Sequence, residues 1–193
     1  MKTKIYMDYN ATCPIRPAVI DVVAGAMATV GNPSSVHSAG RAAKTVMDEA
    51  RTKVAALAGC RPRDVVFCSG GTEANNLVVR GCGAASLIIS ETEHPSVLAS
   101  AEAAGLPVYK VGVDSNGLVD LASLRQLLQE APAPALVSVM FANNETGVMQ
   151  PVSEVAVLAK EFGAKFHTDA IQCAGKTPID LTAIGADYLT LSS

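Results

Sequence analysis

The chain is poor in charge. Asp, Glu, Lys and Arg make up 17% of its 193 residues, against about 25% in an ordinary soluble domain. With 49% apolar residues, that shortfall excludes a disordered or heavily solvated chain and predicts extensive burial. There is no basic run and the formal net charge is −3, so the electrostatic footprint of a nucleic-acid or anionic-membrane partner is missing. No apolar stretch approaches the ~20 residues needed to span a bilayer. Lys2 and Lys4 are followed by no apolar h-region, so the N-terminus does not read as a secretory signal. Histidine is scarce (His37, His94 and His167) and H-E-x-x-H is absent, so no metal site is expected. Cys13, Cys60, Cys68, Cys82 and Cys173 form no C-x-x-C pair. Their odd number and scatter fit free thiols in a reducing compartment, most simply as small buried hydrophobes. The expected location is the cytoplasm.

What is present is a regular alternation. Ile5 to Tyr9 reads as a short strand, and Pro17 opens a helix running to about Val30. The loop Gly31-Asn32-Pro33-Ser34-Ser35-Val36-His37-Ser38 is dense in turn formers. From about Gly40 to Ala58, apolar residues at three- and four-residue steps predict an amphipathic helix, closed by Gly59. Strands are then expected at Asp64–Ser69, Ser86–Ser90, Val108–Val113, Leu136–Ala142, Lys165–Asp169 and Tyr188–Leu191, with helices between most of them. Short, continuously apolar strands alternating with helices mean an α/β fold, a mostly parallel sheet flanked by helices on both faces.

In such sheets ligands bind beyond the carboxyl ends of the strands. Those ends carry the polar clusters: Ser69-Gly70-Gly71-Thr72, Glu93-His94-Pro95, Asn143-Asn144-Glu145, Asp169 to Gln172, and Ser192-Ser193. Gly70 and Gly71 before a helix make an anion site, with Thr72 adding a hydroxyl, or a plain strand-to-helix turn. The cluster is neither a Walker A loop nor G-x-G-x-x-G. Asp169 either caps the next turn or faces a cation, since a buried carboxylate is costly alone. His94 is an acid–base group, a flat cover for an aromatic ligand, or a hydrogen-bonded structural residue. Asn144 and Gln172 suit a phenolic oxygen or a carboxylate, or cap helices. An anion pocket, a strand-end Asp and a His between them point to pyridoxal phosphate, whose phosphate takes the helix start and whose ring nitrogen takes the carboxylate. That cofactor also needs a Schiff-base lysine. None of the eight lysines follows a strand end in a suitable loop, and Lys176, the nearest, is expected to face solvent.

Tyr9-Asn10-Ala11-Thr12, Gly31-Asn32-Pro33-Ser34-Ser35-Val36-His37, Ser69 to Asn76, Glu93-His94-Pro95, Ala142 to Gly147 and His167 to Gln172 together resemble the cysteine desulfurases of the NifS/IscS type. These are fold-type I pyridoxal phosphate enzymes within the class V aminotransferase family. Cys13 stands where that family more often has Thr. The resemblance implies a homodimer that takes sulfur from L-cysteine, releases L-alanine and passes a protein-bound persulfide to an iron–sulfur scaffold or another acceptor protein. Carried over by motif, Gly71, Thr72 and Ser192, with Ser193 beside it, would hold the phosphate. His94 would stack on the ring as a catalytic residue, and Asn144 would contact cofactor and substrate. Asp169 would pair with the ring nitrogen and Gln172 with the ring oxygen. The resemblance makes 1–15 an N-terminal segment and 16–193 the N-terminal part of an incomplete large domain. The family's Schiff-base Lys and persulfide Cys are expected beyond Ser193, in a missing C-terminal half or a second chain. The alternatives are a non-catalytic fragment or scaffold, and another fold-type I enzyme such as a selenocysteine lyase or aminotransferase.

Overall fold

Helical periodicity dominates up to Val66, and strand–helix alternation takes over after it. The computed structural model, which describes residues 5–192, divides into two units at that point, between Val66 and Phe67.

In the first unit, α1 (Pro17–Met27) begins at a proline whose missing N–H costs a helix start nothing, and it buries no residue. α2 (Ser38–Ala58) starts where the His37 side chain accepts from the Gly40 N–H, and stops at Gly59 in the left-handed conformation (φ 67°). Only a residue without a Cβ fits at Gly40, because an added Cβ would lie 2.3 Å from the Ser35 carbonyl oxygen. A 3-10 turn, Pro62–Asp64, follows. Two expected strands are absent. Residues 5–8 have no regular structure and are exposed, and 65–69 belong to no strand ladder. Val66 and Phe67 are exposed in place of the expected burial. A short apolar run alone does not specify a strand.

The second unit is built on β1 (Ser86–Ser90), β2 (Val108–Val111), β3 (Ala135–Ser138), β4 (Lys165–Asp169) and β5 (Tyr188–Thr190). They form one sheet in the order β2-β1-β3-β4-β5, with every pairing parallel. Two expected strands are shorter by their last residues: β3 ends at Ser138 and β2 at Val111, although the Val139 and Phe141 N–H groups still donate to the His167 and Asp169 carbonyls of β4. The helices are α3 (Gly71–Gly81), α4 (Pro95–Glu102), α5 (Leu121–Glu130), α6 (Val152–Glu161) and α7 (Leu181–Ile184). The four-residue α7 has no sequence counterpart above, being too short for a periodic signal.

Side-chain alternation divides the core between the two faces of the sheet. Leu87, Ile89 and Leu136 pack with Val79 of α3 and with Val97 and Ala101 of α4. Ile88, Val137 and Phe166 pack with Leu124 and Leu128 of α5 and with Val155, Leu158 and Ala159 of α6. The α4 crossover leads from β1 to β2, while the next strand, β3, pairs on the other side of β1. The strand order therefore reverses between β1 and β3, which is where a doubly wound sheet opens its ligand crevice.

Ile88 is fully buried, so Ile88→Ala is expected to cost about 2–5 kcal/mol. The Lys165–Asp187 pair (2.7 Å) is half exposed at the lysine, so Lys165→Met is expected to cost about 0–1 kcal/mol. Urea unfolding of both variants checks the contrast. Equal losses would contradict this assignment of the core.

Candidate functional site at the strand ends

The Gly-rich turn owes its shape to Glu73. Its carboxylate turns back to accept from the Ser69 N–H (2.6 Å) and the Ser69 hydroxyl (2.7 Å). Both bonds hold the Glu73 pKa below its usual range, and they anchor the chain entering α3 in the manner of a capping box. Gly70 at the N-cap offers no side-chain cap, so the first-turn N–H groups at Gly71 and Thr72 stay available to an anion. A Cβ on Gly71 would meet Ile171 Cδ1 at 2.2 Å and Ser192 Cβ at 3.9 Å. The helix start thus lies directly against the loop after β4 and near Ser192, two residues after β5, forming a cradle that a side chain would fill. Ser193 lies outside the described residues.

Asp169 ends β4 and is 4% exposed. Of the two readings made from the sequence, the local cap has a counterpart among its oxygens. Oδ1 accepts from the Ile171 N–H (3.0 Å), which is a local cap. Oδ2 accepts from Asn75 Nδ2 of α3 (2.8 Å). The ion pairs among described residues are Arg61–Asp64, Arg125–Glu161 and Lys165–Asp187, and none involves Asp169. A buried carboxylate held only by neutral donors is what a cationic ring nitrogen fits.

His94 is the N-cap of α4; its Nδ1 accepts from the Ser96 N–H (3.1 Å) and lies 2.8 Å from the Ser96 hydroxyl. Its ring is exposed. Asn144 is half-buried in the turn after β3 and donates to Glu145 Oε1 (2.8 Å). Gln172 Oε1 accepts from Lys176 Nζ (2.8 Å), with Lys176 exposed as expected. Thr72 is exposed at the helix start. The cysteine expectation needs correction: only Cys173 is buried, Cys60, Cys68 and Cys82 are partly exposed, and Cys13 is exposed. Burial pushes the Cys173 thiol up to about 11, with the Asp169 charge adding to the effect, so this sulfur is inert at neutral pH.

Sequence reasoning named Glu93 in a strand-end cluster but missed the row of buried polar groups beneath those clusters. Glu93 is 5% exposed. Its Oε1 accepts from the Met140 N–H, and its Oε2 has no hydrogen-bond partner. Burial raises its pKa to about 8; the Met140 bond opposes that rise and the Asp169 charge adds to it. Ser138 Oγ lies 2.8 Å from His167 Nδ1, and His167 Nε2 lies 3.0 Å from Thr190 Oγ1, all buried. Burial lowers His167 to about 4. The one sequence signal for this row was polar residues at inward positions of otherwise apolar strands.

These two groups give opposite pH dependences. Glu93 rises from 4.5 to about 8 on folding, so its stabilisation is full below pH 4.5 and is lost as pH climbs through about 8. His167 falls from 6.5 to about 4, so its contribution is full above pH 6.5 and is lost as pH drops through about 4. Glu93→Gln removes only the first slope. Between pH 6.5 and about 8 the unmodified chain is expected to lose on the order of a few kcal/mol relative to that variant. Urea midpoints across this range check it, and parallel curves for the two proteins would contradict it.

Comparison with known proteins agrees with this geometry. Residues 5–193 match the family model described as Aminotransferase class-V. An IscS-like cysteine desulfurase of Mycobacterium tuberculosis is 40% identical over 97% of this chain and 51% of its own length. A cysteine desulfurase IscS of Dictyoglomus turgidum is 37% identical over 100% of this chain and 51% of its own. The solved NifS-like protein of Rickettsia africae superposes with a TM-score of 0.91 at 38% identity, covering 97% of this chain and 53% of that one. The chain spans about half the length of the curated relatives it matches. With a family match along nearly its whole length and a parallel sheet that carries the cradle and the carboxylate at its strand ends, the chain belongs to the class V aminotransferases.

Proposed function

We propose that the chain is the cofactor-side part of a pyridoxal phosphate-dependent cysteine desulfurase. Residues 16–193 form the N-terminal part of its large domain, and 1–15 lead into it. The observation that carries this reading is the buried Asp169 carboxylate at the end of β4, which has neutral donors and no cationic partner among the described residues. The uncapped start of α3 beside the loop after β4 supports it, as do the names of the relatives.

In this reading the N–H groups of Gly71 and Thr72, the Thr72 hydroxyl and Ser192 hold the phosphate, with Ser193 adding to them. Asp169 holds a proton on the ring nitrogen. His94 lies against the ring, Gln172 donates to the ring oxygen, and Asn144 orients cofactor and L-cysteine. Pyridoxal phosphate, when bound, supplies an electron sink for charge developing at the substrate carbon. The cofactor-anchoring lysine and the sulfur-carrying cysteine come from the half of the relatives' length that this chain does not span. The products are L-alanine and sulfur carried to an acceptor protein, such as an iron–sulfur scaffold, by a cytoplasmic homodimer. No described helix is long and apolar enough to cross a membrane.

Titrating the 193-residue chain with pyridoxal phosphate and following absorbance tests the reading. Asp169→Ala is expected to weaken binding about tenfold or more, equivalent to at least about 1.4 kcal/mol. Thr72→Ala is expected to weaken it several-fold. Indistinguishable binding by Asp169→Ala and the unmodified chain would contradict the assignment.

A further inference from the structure

Two side chains, Asn75 and Ser96, connect Asp169 to His94. Asn75 is fully buried on α3. Its Nδ2 donates one hydrogen to Asp169 Oδ2 (2.8 Å) and the other to Ser96 Oγ (2.9 Å). Ser96 Oγ in turn lies 2.8 Å from His94 Nδ1. The chain of contacts runs Asp169, Asn75, Ser96, His94 without a gap.

Each link fixes the direction of the next. A carboxylate oxygen only accepts, so the amide of Asn75 must turn its nitrogen towards Asp169. The cost of that orientation is visible, since Asn75 Oδ1 is buried with no hydrogen-bond partner, a rare condition for a native amide. With its nitrogen so placed, Asn75 uses its second hydrogen on Ser96 Oγ. The Ser96 hydroxyl has one hydrogen of its own, and the remaining contact in line is His94 Nδ1. The Ser96 backbone N–H also donates to that nitrogen (3.1 Å). Two donors therefore converge on His94 Nδ1, which leaves no room for a proton there. Nε2 carries the ring proton and has no hydrogen-bond partner among the described residues.

We propose that Asn75 and Ser96 are positioning residues that couple the Asp169 carboxylate to His94 and select, for the uncharged ring, the tautomer with its proton on Nε2. His94 then offers the ligand a flat ring with an N–H donor at Nε2, and its one basic lone pair, on Nδ1, is already engaged by Ser96. Of the roles open to His94 from the sequence, this selects the ring cover and hydrogen-bond donor over the general base. The link to a cofactor rests on the reading proposed above, while the tautomer itself does not.

The test is histidine-selective 15N labelling with long-range 15N–1H correlation, which separates protonated from unprotonated ring nitrogens. His37→Gln and His94→Gln variants assign the resonances. The expected result is a single His94 form with Nδ1 unprotonated and Nε2 protonated, seen without any cofactor. A protonated Nδ1 overturns the proposal. Asn75→Leu keeps the volume and removes both donated hydrogens, so the Nδ1-protonated form of His94 is expected to rise several-fold. Ser96→Ala reduces the two donors at Nδ1 to one and is expected to shift the ratio in the same direction. A folded variant of either kind with the unmodified tautomer ratio overturns the proposal. If neither variant folds, the tautomer of the unmodified chain still decides it. Failure to bind pyridoxal phosphate is a separate result, since it would remove the cofactor reading and leave the tautomer standing.

Discussion

The second unit depends on keeping one negative charge buried at the end of β4. Removing a carboxylate from water costs several kcal/mol even after the protein relaxes. Each hydrogen bond to a charged acceptor returns about 1.5–3 kcal/mol, and Asp169 has two, from Ile171 and Asn75. Those bonds offset part of the cost, and a cation on the same carboxylate would offset the remainder. The chain supplies none among its described residues. That imbalance makes a cationic ligand at this position the simplest completion of the site.

The surroundings keep that charge single. A second carboxylate, Glu93, is buried close by; its burial, with a smaller addition from the Asp169 charge, raises its pKa to about 8. Two like charges in one desolvated region cannot both ionise cheaply. His167, in register beside Ser138 on β3 and two residues before Asp169, is pushed towards its neutral form by burial. The polar row through Ser138, His167 and Thr190 is therefore neutral at physiological pH, and Asp169 is the anion that a ligand meets. The Met140–Glu93 bond also joins the loop leaving β3 to the loop leaving β1, at the point where the strand order reverses.

Much of this was legible in the sequence. β1 and β4 fall at their expected bounds, β1 because it is a short, mostly apolar run between turn formers. The polar clusters at the strand ends singled out the cradle and Asp169. The segments at 5–9 and 64–69 misled because an apolar run cannot reveal whether a neighbouring strand will pair with it. Five cysteines read as buried because Cys is generally hydrophobic, yet only Cys173 is buried, and Cys82 packs at the edge of the core. Asn75, Ser96 and Ser138 were hidden for another reason. Their importance lies in contacts made across 21 to 94 residues of sequence, and local pattern carries no record of such pairings. Asn75 gave a faint sign as a polar residue on the inward face of α3, four positions before the buried Val79.

The account turns on whether Asp169 meets a protonated ring nitrogen. The most direct measurement compares the affinity of the chain for pyridoxal phosphate with its affinity for the analogue whose ring nitrogen is replaced by carbon, in the unmodified protein and in Asp169→Ala. The account predicts that the unmodified chain clearly prefers pyridoxal phosphate and that Asp169→Ala abolishes the preference. Equal affinity for the two compounds in the unmodified chain would contradict it.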